Sequence, residues 1–302
     1  MTAICDGRVV VVTGAGGGLG RSHALAFARE GALVVVNDIG TSREGDGTSA
    51  GPAQAVVEEI KALGGEAVAN TDDIADFDGA ERLVKTAIDE FGRLDVVVNN
   101  AGFLRDRMLA NMSVEEWDAV IRVHLRGHFC TSRHAIAYWR DQTKAGNAVD
   151  ARIINTSSGA GLLGSVGQGN YAAAKAGIIG LTLNQSAEFA RYGVTANAIA
   201  PAARTRMTEV AAMADMMAVP ESGFDAMSPD NVSPLVVWLG SSESRAVTGR
   251  VFEVEGGIIS VADGFQHGPR IDKGTRWEPS EVGAAVADLI AKAPAPAPVY
   301  GT

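Results

Sequence analysis

Short, nearly unbroken apolar runs alternate along the chain with longer stretches whose apolar positions recur every three or four residues. The runs at 9–12, 33–37, 67–70, 95–99, 152–156 and 195–199 are each four or five residues long and rich in β-branched side chains. Continuous rather than alternating hydrophobicity suits strands buried on both faces. The intervening stretches at 21–30, 53–63, 80–91, 114–138 and 171–191 carry helical periodicity. Ser113 followed by Glu116 predicts a capping box that opens the fourth helix. Strands alternating with helices imply parallel β-α-β units with right-handed crossovers. The pattern therefore predicts an α/β fold: one doubly wound parallel sheet with helices on both faces.

Two segments break this rhythm. Residues 40–52 are rich in Gly, Ser and Thr and read as a loop after the second strand. Residues 204–231 have weak periodicity and hold five of the eight methionines, Met207, Met213, Met216, Met217 and Met227. Adaptable thioether side chains there suit either a lid over an apolar substrate or a helix packed on the core. The last strand pattern is at 251–254, and a C-terminal extension follows from residue 265 to 302. It contains one expected helix at 280–292 and a tail with alternating prolines. This extension reads as a cover for a site, a brace between subunits, or a loosely docked linker.

Composition narrows the function classes. The 302 residues carry 26 Lys+Arg against 36 Asp+Glu, a net charge of −10, with no basic run to neutralise phosphates. A nucleic-acid partner is therefore disfavoured, because such binding rests on counterion release. No apolar run is long enough to span a bilayer. The two cysteines, Cys5 and Cys130, form no framework, so a reducing cytoplasmic location is expected.

The chemistry-bearing motifs fall at strand ends. The first strand runs into Thr13-Gly14-Ala15-Gly16-Gly17-Gly18-Leu19-Gly20 and a helix follows. A glycine turn lets phosphate oxygens approach, and the helix N-terminus offers them N–H groups. Gly14, Gly18, Leu19 and Gly20 are the expected pyrophosphate holders. Asp38 ends the second strand, where a carboxylate can accept from both adenosine ribose hydroxyls and repel a 2′-phosphate. No basic residue stands at Gly17 or Ile39 to neutralise one, so NAD is expected over NADP. Asp73 and Ile74 follow the third strand, near an expected adenine edge. Asn99-Asn100-Ala101-Gly102 ends the fourth, at the crevice of such sheets. Tyr171 and Lys175 lie four residues apart and project from one helix face, and Ser158 ends the fifth strand. A cation one turn away favours the phenolate and lowers the tyrosine pKa. His124 and His128 have metal-pair spacing, but no third ligand is evident nearby.

The order T-G-x-x-x-G-x-G, N-N-A-G, Ser158 and Y-x-x-x-K is similar to the short-chain dehydrogenase/reductase family over roughly residues 6 to 260. That resemblance implies a Rossmann-type domain at 1–264, a nicotinamide cofactor and alcohol–ketone interconversion. It implies Tyr171 as base, Lys175 as its activator and a ribose ligand, and Ser158 as partner of the substrate oxygen. Asn100, Ala101, Gly102, Pro201, Ala203 and Thr205 would lie along the cofactor. The segments 34–38, 104–107, 122–127, 167–171, 199–201 and 206–208 also resemble the dehydrogenase domains of peroxisomal multifunctional enzymes. That resemblance implies a (3R)-hydroxyacyl-CoA or 17β-hydroxysteroid substrate and a homodimer or homotetramer. Two positions depart from the broader pattern: His124 stands where most members have Asn, and Ala202 follows Pro201 in place of Gly. A 3-oxoacyl-thioester reductase and a catalytically silent NAD-sensing module remain the alternatives. Asp38 weighs against the first, and the intact Ser158, Tyr171 and Lys175 set against the second.

Overall fold

The computed structural model describes residues 3–40, 49–205, 218–220, 222–262, 264 and 266–301. Its strands are β1 (Val9–Thr13), β2 (Leu33–Asn37), β3 (Glu66–Asn70), β4 (Val96–Asn99), β5 (Ala151–Thr156), β6 (Val194–Ala202), β7 (Val251–Glu255) and β8 (Ile258–Ala262). They form one sheet in the order β3-β2-β1-β4-β5-β6-β7-β8. Strands β1 to β7 pair in parallel, and β8 runs antiparallel to β7. The strand order reverses between β1 and β4, which opens a crevice beyond their carboxyl ends.

The valine runs explain the layering. Successive residues of a strand face opposite sides. Val10, Val12, Val34, Val36, Val96 and Val98 bury into one cluster with Leu25, Phe27, Val56, Ile60, Val236 and Leu239. Those partners come from α1 (Gly18–Arg29), α2 (Gly51–Ala62) and α8 (Ser233–Gly240). Val9, Val11, Val35 and Val97 bury on the other side with Leu83, Ala87, Ile136 and Trp139. These belong to α3 (Phe77–Phe91) and α5 (Gly127–Lys144). Each such side chain contributes roughly 1.5–3 kcal/mol on full burial, so both helical layers are needed and the doubly wound expectation is met.

Three differences from the sequence reading have local causes. The strand β8 was not expected, because 251–254 was read as the last strand. Gly256-Gly257 makes the two-residue hairpin that creates it, with Gly256 at φ +53. Its Ile258, Ile259 and Val261 are exposed on an edge strand, so burial gave no signal. The single helix expected over 114–138 is α4 (Val114–Ile121), a π-helical turn at Arg122–Arg126, and then α5. The capping box at Ser113 and Glu116 is present. Of the loop expected over 40–52, residues 41–48 lie outside the described residues, and α2 begins at Gly51, where Pro52 in the first turn needs no N–H partner.

Of the methionine-rich segment, residues 206–217 lie outside the described residues, and with them Met207, Met213, Met216 and Met217. The remaining helices are α6 (Gly159–Leu163), α7 (Gly169–Phe189) and α9 (Pro279–Lys292). Among the described residues no helix is long and apolar enough to cross a membrane.

Candidate active site

The glycine loop is shaped by backbone contact. Gly14 has φ +63, and a Cβ there would stand 2.7 Å from Ala101 Cα. A Cβ on Gly16 would stand 2.8 Å from Asp38 Oδ2. The Gly16 N–H donates to that oxygen at 2.8 Å, and the Gly40 N–H donates to Oδ1 at 2.6 Å. Asp38 is thereby fixed at the edge of the loop with its carboxylate partly exposed. Helix α1 opens at Gly17 with no side-chain cap, so its first N–H groups keep free donor capacity. A Cβ at Gly18 would meet Thr205 only at 3.5 Å, which leaves room beside the helix end. A narrow cradle of N–H donors beside a fixed carboxylate fits a dinucleotide.

N-N-A-G divides its work between the two asparagines. Asn99 is fully buried and donates to Ser132 at 3.1 Å and Asn155 at 2.9 Å, tying β4 to β5. Asn100 Nδ2 donates to the carbonyls of Thr13 at 2.9 Å and Gly14 at 3.2 Å, which clamps the glycine loop. Thr13 Oγ1 accepts from the N–H groups of Asn100 at 2.9 Å and Ala101 at 3.1 Å. Thr13 was read only as the start of the loop; a buried hydroxyl at a strand end was its signal. A side chain on Gly102 would collide with the His124 ring.

His124 replaces an amide by a ring at the centre of the site. The π turn brings it under Gly102 and edge-on to Tyr171, with ring centroids 5.3 Å apart. Its Nε2 lies 2.8 Å from the Phe103 carbonyl oxygen and 3.1 Å from the Phe103 N–H. Burial pushes its pKa down from 6.5 to about 3, with Lys175 adding to the fall. His124 is therefore neutral at working pH. Among the described residues no three His, Cys, Asp or Glu side chains come together as metal ligands.

Tyr171, Ser158 and Lys175 meet at the open end of β5. Ser158 is the N-cap of α6, where its hydroxyl accepts from Ala160 N–H at 3.2 Å. It also neighbours the Tyr171 phenol and acts to lower that phenol's pKa. Lys175 Nζ lies 5.4 Å from the Tyr171 ring centroid and donates to the Thr156 carbonyl at 2.6 Å. Asn170, fully buried, fixes the start of α7: its Nδ2 donates to Arg105 O at 3.0 Å and Glu116 O at 3.1 Å. Its Oδ1 accepts from Tyr171 N–H at 2.7 Å. A lone Asn gave no spacing by which to find this role.

The expected lowering of the tyrosine pKa is not what this geometry produces. Burial pushes the Tyr171 phenol up, opposed by the Ser158 hydroxyl. Burial also brings the Lys175 ammonium down to about 7. Desolvation acts on both partners, and a phenolate here depends on a charged Lys175 beside it.

The other expected cofactor residues divide. Asp73 lies at the crevice rim, with Oδ1 accepting from Ala75 N–H at 2.8 Å and Oδ2 from Arg122 at 2.6 Å. The Ile74 side chain is buried in the core against Gly127, so contact with a ligand would rest on its backbone. Leu19 packs partly against the first core cluster, and Gly20 sits so close to Gly14 that no side chain fits. Pro201 is in β6, paired with Val254, and Ala203 is buried just beyond.

Comparisons with known proteins identify the family. The family model for short chain dehydrogenases matches residues 8–215. The chain belongs to the short chain dehydrogenase family. Members of this family are oxidoreductases that interconvert an alcohol and a carbonyl with a nicotinamide dinucleotide, and this chain is one of them. It is 49% identical over 301 residues to a Mycobacterium tuberculosis protein named hydroxyacyl-CoA dehydrogenase ChsB1, covering 96% of this chain and 90% of that one. It is 49% identical over 254 residues to mouse peroxisomal multifunctional enzyme type 2, covering 84% of this chain and 32% of that much longer one. The crystal structure of a short chain dehydrogenase from Mycobacterium avium superposes with a TM-score of 0.90 at 66% identity, over 99% of this chain and 100% of that one.

Buried neutral histidines give this dehydrogenase an acid limit. His23 is fully buried on Ser233, and burial takes its pKa from 6.5 to about 3, as it does for His124. Below pH 6.5 the unfolded chain binds protons that the folded chain refuses until about pH 3. Stability therefore falls as pH drops through that window, by up to about 1.4 kcal/mol per pH unit for each histidine. Urea midpoints measured at pH 7 and pH 5 should differ accordingly. Equal midpoints would show that neither ring is held neutral.

Proposed function

We propose that this enzyme uses NAD to oxidise the 3-hydroxyl of a (3R)-hydroxyacyl-CoA, with a 17β-hydroxysteroid as a second substrate class. The observation that carries the reading is the Ser158–Tyr171–Lys175 cluster at the open end of a crevice whose far edge holds Asp38. The name and near-complete coverage of the hydroxyacyl-CoA dehydrogenase relative support the substrate class. Asp38, with no basic side chain at Gly17 or Ile39, supports NAD.

The bound nicotinamide would accept a hydride from the carbinol carbon. The protein's part is to position and to move a proton. Ser158 donates to the alcohol oxygen and replaces its water shell. Tyr171, as phenolate, takes the hydroxyl proton while the carbon–hydrogen bond breaks. A charged Lys175 holds that phenolate populated and hydrogen-bonds the ribose. Asn170 and Ser158 fix the two ends of the geometry, and such positioning can contribute about 7–11 kcal/mol toward the barrier. Gly14, Gly18, Leu19 and Gly20 would hold the pyrophosphate. Asn100, Ala101, Gly102, Pro201, Ala203 and Thr205 would line the ring's side, and Asp73 and Ile74 the adenine's. The domain at 1–264 would act as a homodimer or homotetramer in the cytoplasm. The exposed Phe129 on α5 and Leu183 on α7 offer apolar surface for that contact.

A panel assay tests the reading. NAD and NADP are each paired with short and long 3-hydroxyacyl-CoAs of both configurations and with a 17β-hydroxysteroid. NAD-linked turnover of the 3R acyl thioesters, rising with pH as the Tyr171–Lys175 pair loses a proton, is the expected result. A strong preference for NADP, or turnover of neither substrate class, would overturn it.

A further inference from the structure

We propose that Tyr300 is a specificity-determining residue, forming one wall of the substrate side of the site from a strap that pins the loop between Ser158 and Tyr171. The proposal rests on the dehydrogenase reading of that site.

Between β5 and α7 the chain runs through Ser158, the short helix α6 and the turn at 164–168. Residues 299–301 lie on this stretch. The Tyr300 carbonyl accepts from Val166 N–H at 3.0 Å, and its own N–H donates to Gly164 O at 3.4 Å. Ser165 and Tyr300 form an isolated parallel bridge. A Cβ at Gly164 would lie 3.4 Å from Val299 Cγ1. The Tyr300 ring crosses Gly159, the residue after Ser158: a Cβ there would come within 2.7 Å of both Cε2 and Oη. A methyl group on Gly159 would push that ring aside.

The approach to this contact is stiff. Pro294, Pro296 and Pro298 follow α9, and alternating prolines hold a chain extended without hydrogen bonds. Helix α9 buries none of its residues, so the strap is held by the loop it touches and not by the helix before it. Tyr300 is 47% exposed. Its side chain therefore covers Gly159, the residue after Ser158, while keeping open surface. An aromatic face with a phenol tip suits apolar carbons next to a polar group. The ligand it fits is the acyl carbon chain, or the ring edge of a fused hydrocarbon, adjoining the carbinol.

The test uses the full chain with Tyr300→Ala, Tyr300→Phe, Gly159→Ala and the Gly159→Ala/Tyr300→Ala double variant. With NAD saturating, Tyr300→Ala should raise KM by about tenfold for long hydroxyacyl-CoAs, the scale of a lost apolar pocket contact. Short ones should change less, and the NAD Kd should not move. Tyr300→Phe, which keeps the ring and loses only the phenol tip, should raise KM for long hydroxyacyl-CoAs less than Tyr300→Ala does. Gly159→Ala should raise KM through collision with the ring, and removing the ring in the double variant should relieve that collision. Hydrogen exchange at the Val166 amide should quicken in Tyr300→Ala, because losing the ring's seat on Gly159 loosens the strap whose backbone carbonyl holds that amide. This readout needs no substrate, so it stands even if the parent oxidises no hydroxyacyl-CoA and the substrate assignment fails. Unchanged exchange at Val166, or equal effects on short and long substrates and on NAD, would overturn the proposal.

Discussion

Replacing Tyr171 with Phe is expected to lower kcat for alcohol oxidation by about 10²–10⁴-fold, the usual share of a positioned acid–base group. The Phe ring keeps the edge contact with His124 and the packing at the start of α7, since only the hydroxyl is lost. Ser158 retains its bond from the Ala160 N–H. The Asn170 clamp is made through the backbone N–H of residue 171 and survives. NAD affinity should therefore change little, and the loss should fall on kcat. Stopped-flow hydride transfer and fluorescence titration of the dinucleotide separate the two. Retained turnover in Tyr171→Phe would remove the basis of the mechanism.

The second large effect is expected at Asp38. In Asp38→Asn one amide oxygen can still accept from the Gly16 or Gly40 N–H, while the charge is gone. A hydrogen bond to a charged group contributes about 1.5–3 kcal/mol, and losing it should cut kcat/KM for NAD by roughly 10–150-fold. Removing the negative charge also removes the repulsion of a 2′-phosphate, so use of NADP should rise. The NAD/NADP ratio is the sensitive quantity, measured with one alcohol substrate at both cofactors. A ratio equal to that of the parent would show that the carboxylate does not face the ribose.

The two experiments probe opposite ends of one crevice. They fail independently: Tyr171 can be essential whichever dinucleotide binds, and Asp38 can select the dinucleotide whatever the substrate. The Tyr300 strap adds a third, separable control on the substrate side.

Strand identity was legible in the sequence because burial on both faces leaves unbroken valine runs such as 9–12 and 96–98. The glycine loop, N-N-A-G and Tyr171 with Lys175 were legible because each needs fixed residue types at short spacing. Strand β8 was not, since an exposed edge strand imposes no burial pattern on Ile258, Ile259 and Val261. The break at 122–126 was hidden because a π turn keeps helical residue types while shifting which side chain points inward. Within that turn His124 is buried against Gly102 and Tyr171.

The sequence by itself determined the α/β layering, the glycine loop and the candidate cluster of Ser158, Tyr171 and Lys175, because all three are encoded in local periodicity and spacing. The tertiary structure alone decided the electrostatics and the far contacts. Burial is a property of the assembled chain, so it was the packed site that set Tyr171 upward, against the expected direction, and brought Lys175 down to about 7. The meeting of Tyr300 with Gly159 spans 141 positions along the chain, and no local pattern constrains two residues that only folding brings together.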